Sequence, residues 1–326
     1  MKKIMAGFLL VLMTAGLGSA ATFTVTTTNS SGPGSLRAAI NLANGTGGAD
    51  LIDFNIPPLG TVMTIGVTNP LPIIVEQVTI DGFTQMSGAG CQPGIELDGT
   101  LALTGNGLSI NSTNCVIRGL VINRFPMNGI EITHPLGDNA IEGCYIGTDT
   151  NGLLDLGNVE NGIFINNSPY NNLGATPLSD CQKRNIISGN DRNGVWIFGS
   201  LSVQNELQNN YIGTDVSGLL PLGNMGHGVM INSGPLANNV GSTAGPKPVN
   251  VISGNGTNGV HVCENSIGTS LSGNHIGVDR LGTGPLPNAE DGVFVRDSMG
   301  IWVGDNSGQA RNVISGNGDD GVEIQG

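Results

Sequence analysis

The sequence predicts an all-β chain wound as a parallel β-helix, a solenoid with three short strands per coil, and three recurring phrases predict it. Asn-Ile-Ile-Ser-Gly-Asn at 185–190 returns as Asn-Val-Ile-Ser-Gly-Asn at 250–255 and 312–317. Tyr-Ile-Gly-Thr-Asp at 145–149 and 211–215 returns as His-Ile-Gly-Val-Asp at 275–279. Gly-aliphatic-any-aliphatic begins at Gly129, Gly162, Gly194, Gly228, Gly259, Gly292 and Gly321, in steps of 33, 32, 34, 31, 33 and 29 residues. Self-similarity at this period marks a stack of units, each burying its apolar face only against the next. The first two phrases alternate at twice the period, so odd and even coils differ in where their insertions lie.

From the start of the chain, Lys2 and Lys3, an apolar run from Ile4 to Leu17 and the small residues Gly18-Ser19-Ala20-Ala21 read as a signal peptide over 1–20. The run is short for a bilayer span, and no later stretch is continuously apolar, so no transmembrane segment is expected. Residues 21–50 read as an N-terminal strand and a capping helix. Leu36, Ala39, Ile40 and Ala43 fall at i, i+3, i+4 and i+7 on one helical face, suited to plugging the open first coil. Residues 51–326 read as the β-helix. Within one unit, Val195-Trp196-Ile197, Val203 to Leu207 and Tyr211-Ile212 are strand signals bounded by Gly, Asn or Ser. Glycine and asparagine recur too densely for ten-residue helices. Asparagines beside glycines suit the bends, with Asn190, Asn255 and Asn317 as equivalent turns whose amides can bond the asparagine above. At the far end Gly321-Val322-Glu323-Ile324 begins another coil just before Gly326. A truncated sequence, or an edge covered by further domains or another chain, is the expectation there.

Val78-Thr79-Ile80-Asp81-Gly82 and Cys115-Val116-Ile117-Arg118-Gly119-Leu120, together with the Ser-Gly-Asn copies, resemble the right-handed parallel β-helix repeat proteins of the pectin-lyase-like superfamily. Ser31-Gly32-Pro33-Gly34-Ser35-Leu36-Arg37-Ala38-Ala39-Ile40 is similar to the N-terminal segment of large exported bacterial β-helix proteins of uncharacterised function. The resemblance implies right-handed winding, which parallel β crossovers favour in any case.

The net charge of −13, or −15 without Lys2 and Lys3, and dispersed basic residues disfavour nucleic acid. Such a surface is compatible with cations, neutral glycans or basic partners, and with plain solubility. Cys91, Cys115, Cys144, Cys181 and Cys263 are an odd number for an oxidising compartment, so at least one is unpaired within the chain. Cys144 reads as core or turn filler, and Cys91 and Cys181 as loop residues, with no pairing assigned. No Cys/His spacing suggests zinc.

In each Gly-aliphatic-any-aliphatic strand the middle residue points outward. The outward stripe is Glu131, Phe164, Trp196, Met230, His261, Phe294 and Glu323. Phe164, Trp196, Met230, His261 and Phe294 form the candidate ligand-binding set, a platform for sugar rings or a partner surface. The competing reading is cover: the leucine-bearing insertions 152–158 and 218–224 directly precede this strand and would fold over it.

The resemblance implies polyuronate chemistry by clustered aspartates, or by calcium with an arginine base, and no matching catalytic set is found. Gly226-His227-Gly228 is similar to a polygalacturonase motif, yet His227 simply fills the Asn/Asp slot of the repeat. Asp319-Asp320 invites a carboxylate-pair reading, but Asp320 is that slot again. Asp149, Asp215 and Asp279 stand two coil rises, about 9.6 Å, apart. Each is read as a turn cap, with an isolated calcium site as the alternative. No cofactor motif is present. The expected function is an exported, non-catalytic β-helix scaffold that binds a polysaccharide or a cell-surface partner. The alternative is a polysaccharide lyase or glycoside hydrolase, which a loop-lined acidic cleft beside Arg118, Arg124 or Arg192 would favour.

Overall fold

A computed structural model describes residues 18–86, 90–175, 180–242, 250–304 and 311–326. The apolar run of the expected leader, Ile4 to Leu17, lies outside the described residues. Three sheets of ten, nine and eight strands enclose one core, and every strand pairing within them is parallel. The first sheet runs from Thr22–Val25 to Trp302–Val303, the second from Met63–Gly66 to Val313–Ile314, and the third from Leu108–Ile110 to Val322–Gln325. Neighbours within each sheet are successive coils, the topology of a right-handed parallel β-helix.

Strict register turns the sequence repeat into columns. Ile130, Ile163, Val195, Val229, Val260 and Val293 pair one above another and are all fully buried. Each such side chain contributes roughly 1.5–3 kcal/mol through removal from water. The strands are only two to four residues long along this stretch, so the aliphatic columns and the turns, rather than long ladders, set the register.

The turns are fixed by stacked asparagines. Asn158, Asn190, Asn224, Asn255, Asn288 and Asn317 form one continuous ladder in which each amide Nδ2 donates to the next Oδ1 at 2.8–2.9 Å. Asn190, Asn255 and Asn317 are therefore equivalent turns as expected, and the alternate rungs come from the ends of the insertions. Two further ladders run at the strand starts, Asn139 to Asn238 beside the first sheet and Asn185 to Asn312 beside the second. A buried amide left without partners would be costly, and the rungs satisfy one another up to Asn317, whose Nδ2 has no partner among the described residues. The ladder also explains the two-coil repeat. In one coil, Ile187 passes through Gly189, at φ +78°, straight to Asn190; in the coils before and after it, antiparallel loops bridged at Thr148 and Asp155 and at Thr214 and Pro221 intervene before Asn158 and Asn224.

Those loops fold away from the third sheet, which corrects the expectation that they cover the stripe. Gly152 and Gly218, with φ of +69° and +66°, lie close against the rings of Tyr145 and Tyr211, outward residues of the second sheet. Successive loops bond to each other through Val216 N to Gly152 O and Arg280 N to Gly218 O, both 2.9 Å. Tyr145 and Tyr211 are thereby buried with Val121, Ile186 and Val251, while Leu153, Leu154 and Leu220 stay more than half exposed.

The helix spans Leu36–Ala43, capped by Ser35 Oγ, which accepts from Ala38 N. Its buried face is Leu36, Ala39, Ile40 and Ala43, all in the common core. Arg37 anchors it by donating to the carbonyls of Ser30, Asn69 and Pro70. Cys91 and Cys181 form a disulfide; Cys115, Cys144 and Cys263 are free and buried. Burial pushes the Cys144 thiol up to about 12, which suits the filler role read for it.

Candidate functional site

The outward residues of the third sheet stand in a single register row: Glu131, Phe164, Trp196, Met230, His261, Phe294 and Glu323 pair coil by coil. Six coil rises give the row a length of about 29 Å. His261 is buried, and the other six are half-buried. The row is neither roofed by loops nor freely solvated.

Its centre is aromatic. Phe164 stacks on Trp196 with ring centroids 4.6 Å apart and planes at 29°. Phe198, two residues beyond Trp196 on the same face, meets Trp196 edge-on at 5.5 Å. Phe198 was missed from the sequence; the alternation that put Trp196 outward puts Phe198 outward too. Trp196 Nε1 donates to Asn232 Oδ1 at 2.7 Å, and Asn232 Nδ2 donates to Glu264 Oε2 at 3.0 Å. The indole is thus held flat against its neighbours by a polar chain at the rim.

One side of the row is bordered by the slot before each glycine. Asn128, Asn161 and Asn193 each donate their backbone N–H and Nδ2 to the Oδ1 of the slot residue one coil earlier. His227 continues the series through its backbone N–H to Asn193 Oδ1 at 2.9 Å. Its Nδ1 stands in for an asparagine oxygen, accepting from Asn258 N at 3.3 Å, with Thr257 Oγ1 2.7 Å away. This is the structural role expected for the slot. In addition, His227 Nε2 lies 3.2 Å from His261 Nδ1, a contact between slot and stripe that sequence spacing alone did not suggest. Burial, then the neighbouring His261, pushes His227 down to about 4. His261 is also pushed down to about 4, by burial and then by the Arg296 guanidinium.

The slot and the stripe meet again at the last coils, where oxygens of Asp291, Asp320 and Glu323 all lie within 4.8 Å of one another. Such a group could take a cation. Asp291 is 5% exposed and its Oδ1 accepts from Asp320 N at 2.9 Å. Burial first, then the adjacent carboxylates, raises its pKa. Asp320 occupies the repeat slot as read from the sequence; register across coils rather than adjacency to Asp319 makes this cluster.

Asp149, Asp215 and Asp279 are engaged as turn caps. Asp149 Oδ1 accepts from Leu153 N at 2.7 Å and Leu154 N at 2.9 Å. Asp215 Oδ1 does the same for Leu219 and Leu220 at 3.2 Å, and Asp279 Oδ1 for Leu281 and Thr283 at 3.0 Å. Burial raises the Asp149 and Asp279 pKa values, but the donated hydrogen bonds outweigh it and leave both lowered. Arg118 is bonded to Asp81 at 2.5 Å, and Arg124 to Glu96 and Asp98 at 3.0 Å each. Neither stands free over a carboxylate pair.

A second concavity, of about 340 Å³, lies on the outer face of the first sheet, with Glu142, Asn172, Glu206 and Gln208 in its lining. Glu142 there is paired with Lys183 at 3.2 Å, and Gln208 Nε2 donates to Glu206 Oε2 at 3.0 Å.

No family model and no curated protein matches the chain. Among solved structures, a variant of the periplasmic alginate epimerase AlgG is similar at 14% identity and a TM-score of 0.46, over 86% of this chain and 60% of that one. The chain thus spans less than two thirds of that epimerase. The A-module of an Azotobacter vinelandii mannuronan C-5 epimerase is similar at 13% identity and a TM-score of 0.44, over 94% and 96% of the two chains. The Dettilon tailspike protein is similar at 14% identity and a TM-score of 0.35, over 89% and 64%. The class of protein rests on the chain's own topology, three parallel sheets stacked coil upon coil: a right-handed parallel β-helix. None of the described helices is long and apolar enough to cross a membrane.

Proposed function

We propose that this chain is an exported, non-catalytic β-helix that binds glycan along the outer face of its third sheet, with Phe164, Trp196, Met230, His261 and Phe294 as the contact row. The observation that carries the reading is the stacked, half-buried pair Phe164 and Trp196 on a straight row left open by the insertion loops. Sugar rings present apolar C–H faces to flat aromatic rings and hydroxyls to a polar rim. Asn232, Glu264 and the slot residues supply such a rim. The neighbouring carboxylates Glu131, Glu264 and Glu323 favour a neutral glycan over a polyanion. The Cys91–Cys181 disulfide fits an oxidising compartment and hence export. In support of a non-catalytic reading, Asp149, Asp215 and Asp279 are held as turn caps and Asp320 stands in the repeat slot bonded to Asp291.

The test is a screen of the protein against neutral and acidic polysaccharides, with and without calcium, scoring both retention on the polymer and unsaturated or reducing products. Retention on neutral polymers without products is expected. Product formation overturns the non-catalytic reading, and absence of retention on every polymer overturns the glycan face.

A further inference from the structure

His261 of the row and His227 of the adjoining slot carry their protons in an order that the hydrogen-bond network assigns. A backbone N–H can only donate, so the bond from Asn258 N at 3.3 Å makes His227 Nδ1 an acceptor. A neutral imidazole that accepts at Nδ1 carries its proton at Nε2. His227 Nε2 faces His261 Nδ1 at 3.2 Å, so His261 accepts there and carries its own proton at Nε2. The downward pKa shifts of both rings agree with neutral imidazoles. A metal bridging the facing nitrogens would need a lone pair at His227 Nε2, and the Asn258 bond commits that ring to a proton there.

The relay ends on an atom with nothing to bond. His261 Nε2 is buried and has no hydrogen-bond partner among the described residues, and the residue as a whole is 7% exposed. A buried donor without an acceptor is costly, and native folds rarely keep one without a use. His261 sits between Met230 and Phe294 in the contact row, with the Phe294 ring 4.8 Å away at 35°. Met230, the row neighbour of His261, is unbranched and half-buried, a side chain that readily adopts another rotamer.

We infer that His261 is the specificity-determining donor of the glycan face, giving its Nε2–H to a hydroxyl or ring oxygen of a neutral sugar seated against Phe294. His227 and Thr257 act as positioning residues that fix the His261 tautomer. The inference rests on the glycan-binding reading above. The carboxylates of Glu264, Asp291 and Glu323 border this stretch, and the Arg296 guanidinium lies 5.9 Å from the Phe294 ring. A neutral acceptor suits that balance better than a further anion.

The experiment uses the full chain labelled with ¹⁵N, with soluble galactomannan and cellohexaose as neutral probes and polygalacturonate as the acidic comparator. Long-range ¹H–¹⁵N spectra of the histidines should place the proton at Nε2 in both rings, and a neutral probe should shift the His261 Nε2 resonance. His261→Phe keeps a flat ring against Phe294 but loses the donor; it should bind the neutral probe roughly five- to tenfold more weakly, as loss of one hydrogen bond implies. His227→Asn restores the slot asparagine and leaves the His261 tautomer unfixed, so a two- to threefold loss is expected, on the order of a partial hydrogen-bond effect. A His261 proton found at Nδ1 overturns the inference without any ligand. Wild-type affinity in His261→Phe alongside weak binding in Trp196→Ala overturns it while leaving the glycan face standing. Failure of the wild-type chain to bind any neutral probe removes the glycan face, and the role of His261 with it.

Discussion

Trp196 Nε1 donates to Asn232 Oδ1 at 2.7 Å while the indole stacks at 4.6 Å on Phe164. The largest ring of the row is therefore held from both its edge and its face. Because Trp196 points away from the aliphatic columns, Trp196→Ala should leave far-UV circular dichroism unchanged and cost only about 1–2 kcal/mol of stability, the scale of its lost aromatic and hydrogen-bond contacts. Glycan retention should fall at least tenfold. Trp302 is 63% exposed, so a Trp302→Phe background makes Trp196 fluorescence a clean reporter of ligand contact. Collapse of the β-sheet spectrum in Trp196→Ala would show that this residue is core.

The asparagine ladder should tolerate interruption poorly. Asn224 accepts from Asn190 Nδ2 at 2.8 Å and donates to Asn255 Oδ1 at 2.9 Å and to the Ile187 carbonyl at 3.0 Å. Asn224→Ala removes these bonds and strands a buried donor on Asn190, for an expected loss of about 2–4 kcal/mol. Replacing an exposed loop asparagine such as Asn151 should cost under about 0.5 kcal/mol. Urea denaturation of the two variants side by side checks the difference.

Much of this organisation was legible before any coordinates. The glycine phrases fixed the coil length because each unit must present the same inward columns, and the helix face at Leu36, Ala39, Ile40 and Ala43 followed from a 3.6-residue period. The stripe followed from alternation in a strand. The loop direction was not legible: whether the leucines at 153 and 154 cover the third sheet or lean elsewhere depends on positive φ at Gly152 and on how its loop seats over Tyr145. Contacts across coils were also hidden. His227 and His261 are 34 residues apart, and the meeting of Asp291 with Asp320 and Glu323 emerges only when slot and stripe positions are laid side by side in register.

The paired histidines should make stability fall with acid in a defined window. Both rings have folded pKa values of about 4, below the ordinary 6.5, so protons bind the unfolded chain more readily than the folded one. The stability this neutral pair contributes is therefore fully present above about pH 6.5 and is lost as pH falls toward 4. Since the rings are coupled, protonating the first already breaks the relay, and a loss of about 1–2 kcal/mol between pH 7 and pH 4.5 is a reasonable scale. The double variant His227→Asn, His261→Phe should show a flatter profile over that window, read by urea denaturation at each pH. An equally steep loss in the double variant would assign the acid sensitivity to carboxylates instead.

The loop aspartates distinguish turn capping from calcium binding. Asp215 accepts from Leu219 N and Leu220 N at 3.2 Å and from Ser217 Oγ at 2.8 Å. Asp215→Ala should therefore loosen residues 216–222 without unfolding the coils, at a cost of about 1–2 kcal/mol, comparable to removing a capping side chain. Limited proteolysis should cut that loop faster in the variant, and a chelator should leave the wild-type cleavage pattern unchanged, because the carboxylate is held by its own backbone. If a chelator instead speeds cleavage of the wild-type loop to the rate of Asp215→Ala, a bound cation rather than the Leu219 and Leu220 amides is what the aspartate holds.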